Sequence, residues 1–270
     1  MSEKGFDKIT LAGITRYLPQ NLSNVFDINI IEETESTNSD VKEQARAGEK
    51  EGFLLIADKQ TGGRGRMGRS FFSPAGTGVY MSLLLRPSVK PQETVLITTA
   101  AAVSVCRALD ELGVKGSSIK WVNDIFLGSK KVCGILTEGG FGTDGKLDYA
   151  VLGVGINIYS PINGFPEELN GIAGNITQDN ASDVRNKFIG CFVKHFMELY
   201  NDILSRKHLC EYRERCFVIG KEVSFAKGET NYKAIAKDID ENCGLVVEFP
   251  DGSTEILNSG EVSLAIKNTR

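Results

Sequence analysis

A glycine-rich loop follows an apolar segment near residue 60, and the type of this loop decides which nucleotide-binding folds remain open to the chain. Gly63, Gly65 and Gly68 spell G-x-G-x-x-G after the strand-like run "GFLLIADKQ". A dinucleotide-binding fold requires a helix that starts at the loop and an acidic residue about twenty positions later. The chain instead continues with "RSFFSPAGTGVY" and then "SLLLRPSVKPQ", which contain helix breakers and no carboxylate. These residues exclude a Rossmann fold.

Two other phosphate-binding loops are excluded by the residues that follow the glycines. A P-loop carries G-K-[ST] after its glycines, and a protein kinase carries a lysine motif on the next strand. Neither pattern occurs here. The loop therefore needs another explanation.

The charge of the loop supplies that explanation. From Lys59 to Arg69 the chain has four positive residues, Lys59, Arg64, Arg66 and Arg69, and no negative one, although its overall net charge is −4. Guanidinium groups bind phosphate and carboxylate, and glycines allow backbone amides to approach the same anion. A solvated surface loop is the alternative, but such loops seldom combine so many glycines with arginines. We predict an anion-binding loop.

The segments around the loop alternate between strand-like and helical patterns, which predicts a mixed α+β domain. A capped helix is expected in "ESTNSDVKEQARAG", with Thr37 and Asp40 forming a capping box and Gly48 ending it. Further helices are expected over 93–112 and along the apolar stripe Phe188, Phe192, Phe196, Leu199 and Ile203. Strands are expected in "VFDINIIEE", in "GFLLIADKQ", in "GVYMSLLLRP" and over 118–121, 125–127, 132–137 and 149–158, the last two joined by a turn at Asp144-Gly145.

The pattern changes after about Phe217. Five short runs, "KEVSFA", "YKAIAKDI", "GLVVEF", "TEIL" and "VSLAI", are separated by turn residues. Five strands within about fifty residues are typical of a small SH3-like barrel. We therefore predict two domains, over 1–216 and 217–270.

Composition narrows the functional classes. The acidic balance argues against a general nucleic-acid binder, and the residues before Asn29 are too few for a helix-turn-helix module. No secretory leader is evident, and the longest apolar stretch, Val95 to Cys106, is too short to span a bilayer. Six cysteines without a C-x-x-C pair, together with only two histidines, predict reduced thiols in a cytoplasmic protein without a zinc site.

Five motifs together resemble one family. "ESTN" at 35–38, "KQTGGRGRMGR" at 59–69, "KWVND" at 120–124, "KKVCGIL" at 130–136 and "GVGINI" at 153–158 occur in the order and spacing seen in biotin–protein ligases. The resemblance extends over nearly the whole chain, since residues 220–266 look like the small C-terminal domain of that family. Two positions depart from its pattern: Val122 stands where the family usually has proline, and Ala265 where relatives carry arginine.

The resemblance implies a class II synthetase-like biotin/lipoate ligase fold and an ATP-dependent activity. Biotin would be joined to AMP as biotinyl-5'-AMP and then transferred to a lysine of a biotin carboxyl carrier protein or domain. ATP and biotin would be substrates, and Mg²⁺ would neutralise the phosphates. A homodimer is expected from the resemblance alone. No nucleic-acid or membrane partner is expected.

The resemblance also assigns roles to particular residues. Lys131 would be the central cation between the biotinyl carboxyl and the α-phosphate, with Arg64 and Arg66 as further catalytic groups. The ligand sets would be, for biotin, Ser36, Thr37, Asn38, Gln60, Arg64, Gly65, Arg66 and Lys131, and, for the nucleotide, Arg66, Arg69, Asp124, Gly155 and Asn157. Asp124 is expected behind the ligand or near the metal, whose ligands are unknown. Trp121 is expected in the core, and Glu138 receives no role.

Two other functions compete with this interpretation. A lipoate–protein ligase shares the fold and the adenylation chemistry, but an apolar dithiolane has less use for the polar residues at 36–38 and Gln60. A regulator that senses biotin without catalysis is the second alternative. The presence of Lys131 and all three arginines favours an enzyme.

Overall fold

A computed structural model describes residues 7–177 and 182–264. The helices are α1 (Leu11–Thr15), α2 (Thr37–Arg46), α3 (Val95–Glu111), α4 (Val184–Tyr200) and α5 (His208–Arg215). The strands are β1 (Asp27–Thr34), β2 (Phe53–Gln60), β3 (Gly78–Leu85), β4 (Ser117–Lys120), β5 (Asp124–Leu127), β6 (Lys130–Phe141), β7 (Leu147–Asn157), β8 (Glu222–Lys227), β9 (Thr230–Ile239), β10 (Leu245–Glu248), β11 (Thr254–Leu257) and β12 (Ser263–Leu264).

The first seven strands form one mixed sheet in the order β1-β2-β3-β7-β6-β5-β4. Only β1 and β2 run parallel, and the remaining neighbours are antiparallel. The sheet with its flanking helices confirms the predicted α+β class.

The larger core lies on one face of this sheet, beneath α3 and α4. These helices pack on each other, and α3 also packs on β6. The aromatic stripe of α4 is continuous, with stacked rings from Phe188 to Tyr200 whose neighbouring centroids lie 5.5–6.2 Å apart. The helix ends at Tyr200, so Ile203, expected on the same stripe, belongs instead to a short 3-10 turn.

The opposite face of the sheet is covered only in part. Helix α2 packs there over a smaller core composed of Val41, Ala45, Leu55, Leu84, Tyr149 and Val151. Further along β7 the residues in phase with Tyr149 and Val151 are Gly153 and Gly155. Just beyond α2, β7 therefore carries no side chains on this face, and a cleft lies there.

The last five strands form an antiparallel sheet in the order β11-β10-β9-β8-β12. This unit has the size of an SH3-like domain, and β11 and β12 are its edges within the described residues. Trp121 joins it to the first sheet, because its buried indole donates to the Cys243 carbonyl at 2.9 Å. The indole thus has the packing role expected of it.

The start of α2 differs from the expected capping box. Ser36, not Thr37, is the N-cap, and the Ser36 side chain makes no capping hydrogen bond. The Asp40 carboxylate accepts from Thr34 Oγ1 at 2.6 Å instead of returning to the helix start. The Thr37 side chain is occupied by partners from β2 and β3, as described below. The prediction failed because tertiary contacts outcompeted the local hydrogen bond.

Three further observations concern expectations from composition. None of the helices in the described residues has the length and apolar character needed to cross a bilayer. The six cysteines, all within the described residues, are free thiols. Ala265 lies outside the described residues.

Candidate active site

A cleft of about 890 Å³, including its open mouth, lies on the partly covered face of the large sheet. Its walls come from α2, the glycine–arginine loop (residues 62–70), β6, β7 and residues 260–261 of the C-terminal unit. Five of its lining residues are positive (Arg64, Arg66, Arg69, Lys120 and Lys131) and two are negative (Asp124 and Glu261). A cleft with an excess of three positive charges, in a chain of net charge −4, is suited to an anionic ligand.

The inner end of the cleft is a network of uncharged polar side chains. Gln60, the last residue of β2, accepts from the Thr37 backbone amide at 2.9 Å and donates from Nε2 to Ser73 Oγ at 3.0 Å. Both ends of this amide therefore have partners in the protein. Gln60 thus fixes the start of α2, and with it Thr37, at the mouth of the inner pocket.

Asn38 is the centre of this network. Ser82 Oγ lies 2.6 Å from Asn38 Oδ1 and 2.7 Å from Thr37 Oγ1. An amide oxygen can only accept, so the Ser82 hydroxyl donates to Asn38 Oδ1, while the Thr37 hydroxyl lies within hydrogen-bond distance of both Ser82 Oγ and Gln60 Oε1. On its other side, Asn38 Nδ2 donates to Glu138 Oε2 at 2.9 Å and to the Leu136 carbonyl at 3.3 Å. With both N–H groups used, the acceptor Oδ1 is what Asn38 has left to offer a ligand.

Glu138 lies beneath this network with a side chain that is 19% exposed. Burial tends to raise the pKa of this carboxyl, but hydrogen bonds from Lys42 and Asn38 outweigh burial and lower it. Glu138 is therefore ionised at neutral pH. Its Oε1 contacts both Lys42 Nζ and Arg64 Nη2, the latter at 3.4 Å.

The floor of the cleft depends on glycines. A Cβ on Gly153 would lie 2.1 Å from Asn38 Oδ1, and a Cβ on Gly155 would lie 2.8 Å from the Phe71 ring. Asn38 and Phe71 can approach the sheet this closely only because β7 carries no side chains at these two positions. The glycines therefore shape both halves of the cleft.

Each of the three arginines of the glycine–arginine loop contacts a different part of the structure. Arg64 is paired with Glu138 of β6. Arg66 Nη1 donates to Asn123 Oδ1 at 3.1 Å. Arg69 forms a two-pronged pair with Glu261, at 2.8 and 2.6 Å. The loop is thus drawn over the cleft at three points, one of them in the C-terminal unit.

Lys131 enters the cleft because of a β-bulge. Ile125 pairs with Cys133 and Phe126 with Lys131, so Val132 is an extra residue in β6. Side chains of a regular strand alternate, which would place Lys131 and Gly134 on opposite faces. The bulge shifts this phase, and Lys131 Nζ lies 3.4 Å from the position of a Cβ on Gly134. The bulge therefore directs the amine over the glycine floor.

Asp124 holds the Lys131 amine in place. Its Oδ1 lies 2.7 Å from Lys131 Nζ, a distance typical of an ion pair, although no donor among the described residues is aligned with this oxygen for a hydrogen bond. The carboxylate is largely buried, with a side chain 16% exposed. Lys131 is therefore an oriented cation whose side chain, 31% exposed, is still accessible to a ligand.

All but one of the predicted site residues line this cleft. They are Ser36, Thr37, Asn38, Gln60, Arg64, Gly65, Arg66, Arg69, Asp124, Lys131 and Gly155. Asn157 is the exception, since it does not line the cleft and its Nδ2 donates to the Gly174 carbonyl at 2.9 Å.

Sequence reasoning missed several residues of the site, among them Phe71, Ser82, Glu138 and Glu261. A usable signal existed for Glu138, because counting by two from Gly134 places it on the cleft face of β6. The other three carry no comparable signal, since their positions depend on contacts between distant segments.

Comparison with known proteins agrees with this architecture. Residues 30–157 match the model of the Biotin/lipoate A/B protein ligase family, and residues 218–265 match the Biotin protein ligase C terminal domain. The fold and the cleft therefore define the class: the two matched segments, which together span about two thirds of the chain, belong to the biotin/lipoate protein ligase family. Within this class the chain is similar to biotin protein ligases.

Three relatives illustrate the similarity. The Bifunctional ligase/repressor BirA of Bacillus subtilis is 40% identical over 169 residues, which are 60% of this chain and 51% of the relative. The Biotin--[acetyl-CoA-carboxylase] ligase of Mycobacterium tuberculosis is 28% identical over 87% of this chain and 88% of its own length. The biotin protein ligase of Aquifex aeolicus, solved with biotin and ATP, superposes with a TM-score of 0.70 at 27% identity, covering 88% of this chain and 98% of that one. The chain spans about half the length of the Bacillus relative.

Proposed function

We propose that this protein activates biotin with ATP to form biotinyl-5'-AMP and then transfers biotin to a lysine of a biotin carboxyl carrier protein or domain. A biotin carboxylate oxygen would attack the α-phosphorus of ATP, and pyrophosphate would leave. The acceptor lysine amine would then attack the acyl carbon, forming an amide and releasing AMP. The first step forms an acyl phosphate and the second step consumes it. The proposal therefore requires cations around the position of that group.

The observation that carries this proposal is the division of one cleft into two chemical halves. Its inner end offers fixed, uncharged polar groups from Thr37, Asn38 and Gln60, which suit the ureido ring of biotin. The other half holds an excess of positive charge around Lys131. A carboxylate and a triphosphate repel each other, so cations that screen them lower the barrier to their reaction.

In this mechanism Lys131 would contact the carboxylate and the α-phosphate, held in orientation by Asp124. Arg64 and Arg66 would cover the adenylate from the glycine–arginine loop and exclude water from the reactive anhydride. Arg69 and Gly155 would lie toward the nucleotide. Asn157, away from the cleft, would act only through the loop around Gly174.

Magnesium would be bound mainly by the phosphates. Within 7–177 and 182–264, no group of three or more His, Cys, Asp or Glu side chains is arranged to hold a metal. The Asp124 carboxylate, which lies beside the central lysine, is already paired with it. The described residues therefore do not form a metal cage.

We further propose, from the family resemblance, a cytoplasmic location and a homodimer.

Pyrophosphate–ATP exchange tests the proposed function. Labelled pyrophosphate should enter ATP only when biotin is present, because the first step is reversible and needs the acid. Exchange triggered by lipoate alone would instead identify a lipoate–protein ligase. Absence of exchange with both acids, together with measurable biotin binding, would identify a regulator without ligase activity.

Replacing Arg66 tests the role of the loop after the first step. We expect Arg66→Ala to release biotinyl-5'-AMP roughly 10- to 100-fold faster, the effect of losing one or two charge-assisted hydrogen bonds. The melting temperature should change little, because the described hydrogen bond of this side chain is a single one to Asn123. Release is measured by filtration of the preformed complex. Lys59→Ala, which removes a cation that precedes the loop and pairs with Glu33, is the matched control and should retain the adenylate.

A further inference from the structure

The Glu138 carboxylate connects two parts of the cleft that approach from opposite sides. Its Oε2 accepts from Asn38 Nδ2 at 2.9 Å, beneath the inner pocket. Its Oε1 is shared by two cations, Lys42 of α2 and Arg64 of the glycine–arginine loop. This largely buried carboxylate thus contacts the polar network through Asn38, helix α2 through Lys42 and the glycine–arginine loop through Arg64.

We propose that Glu138 is a positioning residue that fixes the Asn38 amide and holds Arg64 over the cleft, and that Lys42 limits this hold by competing for the same oxygen. The inference deepens the proposed function, and rests on it for the identity of the ligand.

The sharing of Oε1 matters for the charge of Arg64. An oxygen that already accepts from Lys42 neutralises a second cation less completely. The Arg64–Glu138 contact is long at 3.4 Å, and the Arg64 side chain is 46% exposed. Glu138 therefore orients this guanidinium while leaving much of its positive charge for a ligand anion.

The orientation of Asn38 depends on the same carboxylate. A carboxylate accepts only, so it requires Asn38 to present Nδ2, and this directs Oδ1 toward Ser82 and the inner pocket. Gln at position 138 could still accept from Asn38 but could not attract Lys42 or Arg64 by charge. Glu138→Gln thus separates the electrostatic role from the orienting one.

The Lys42–Glu138 pair either only stabilises the fold or takes part in positioning Arg64, and the two roles predict different effects of substitution. If the pair only stabilises the fold, Lys42→Gln and Glu138→Gln lose the same ion pair and should act in the same direction. If Glu138 positions Arg64, the two variants should act in opposite directions, because Lys42→Gln leaves Oε1 to Arg64 alone. The sign of the difference decides between them.

Trypsin cleavage of the full, unliganded chain at Arg64, Arg66 and Arg69 measures the hold on the loop. We expect Glu138→Gln to be cleaved there roughly two- to fivefold faster than wild type, and Lys42→Gln to be cleaved more slowly by a similar factor, the range of a partly exposed ion pair. Lys194→Gln, which removes an ion pair with Glu111 on α3 and α4, is the control and should leave loop cleavage unchanged. Thermal unfolding of all three variants separates loop release from global destabilisation.

A double-mutant cycle supplies an independent readout in biotin-dependent exchange. Glu138→Gln and Arg64→Gln should be less than additive, whereas Glu138→Gln and Lys194→Gln should be additive, since Lys194 pairs with Glu111 between α3 and α4. The inference is overturned if both single variants shift cleavage in one direction, if neither shifts it, or if the first cycle is additive. The cleavage assay requires no reaction, so absence of exchange in the wild type would contradict the proposed function and leave the positioning role to be decided by trypsin.

Discussion

Lys131→Gln should lower biotin-dependent pyrophosphate–ATP exchange by roughly 100- to 1000-fold, the loss typical of removing one preorganised group that stabilises developing charge. The amine is oriented by Asp124 at 2.7 Å and lies over the glycine floor of the cleft. Glutamine approximates its length but supplies no charge where the carboxylate meets the α-phosphate. Saturating ATP and biotin should not restore the rate, because the loss lies in the transition state.

The neighbouring residue provides the matched control for this variant. Lys130 does not line the cleft, and its side chain lies beside Gly174. Lys130→Gln makes the same chemical change one position away and should keep near wild-type exchange. Lys131→Gln leaves the Asp124 carboxylate without its cation, so we expect it to unfold about 1–2 kcal/mol more easily and still fold. Equal losses of exchange in both variants would contradict the central role of Lys131.

Gly153→Ala should weaken biotin binding by roughly a hundredfold or more, the effect of losing two buried hydrogen bonds. The new methyl group would lie 2.1 Å from Asn38 Oδ1 and 2.9 Å from its Cγ. Asn38 cannot retreat without breaking its bonds to Ser82 and Glu138. The inner pocket would then lose the geometry that recognises the ureido ring. Calorimetric titration with biotin measures the change directly.

Gly134→Ala is the comparison for this variant. It adds the same methyl group to the adjacent strand, where the nearest atoms, Lys131 Nζ and the Phe71 ring, lie 3.4 Å away in ordinary contact. We expect a much smaller loss of biotin affinity from this substitution. If the two alanine variants lose affinity equally, displacement of Asn38 is not the cause.

The sequence predicted the parts of this structure that depend on local pattern. The strands from β1 to β7 and the five strands of the C-terminal unit follow from runs of apolar residues between turns. Grouping of Lys131 with Arg64 and Arg66 came from the resemblance, and the structure brings all three to one cleft. The two-residue periodicity of a strand indicates which face of the sheet each residue occupies, and this was enough to predict the strands.

Other features of the site depend on contacts between distant segments. Thr37 has the local signature of a capping box, but Gln60 and Ser82, from two other strands, take its polar atoms. The residues next to Glu138 in the sequence do not indicate its role, because its partners come from α2 and from the glycine–arginine loop. Asn157 belongs to a glycine-rich motif whose first half lines the cleft, yet its amide faces Gly174. Only the arrangement in space separates these cases.

Because Val132 is an extra residue in β6, the number of residues in this strand decides where the Lys131 amine points. Deleting it would restore a regular alternation to β6 and turn the Lys131 amine away from its target, while every chemical group of the motif remained in the sequence. A homologue or an engineered variant with one residue fewer between Lys131 and Gly134 would keep the functional residues of a ligase. Its lysine amine, however, would not point into the cleft. Spacing at this point is therefore a better criterion for judging distant relatives than residue identity.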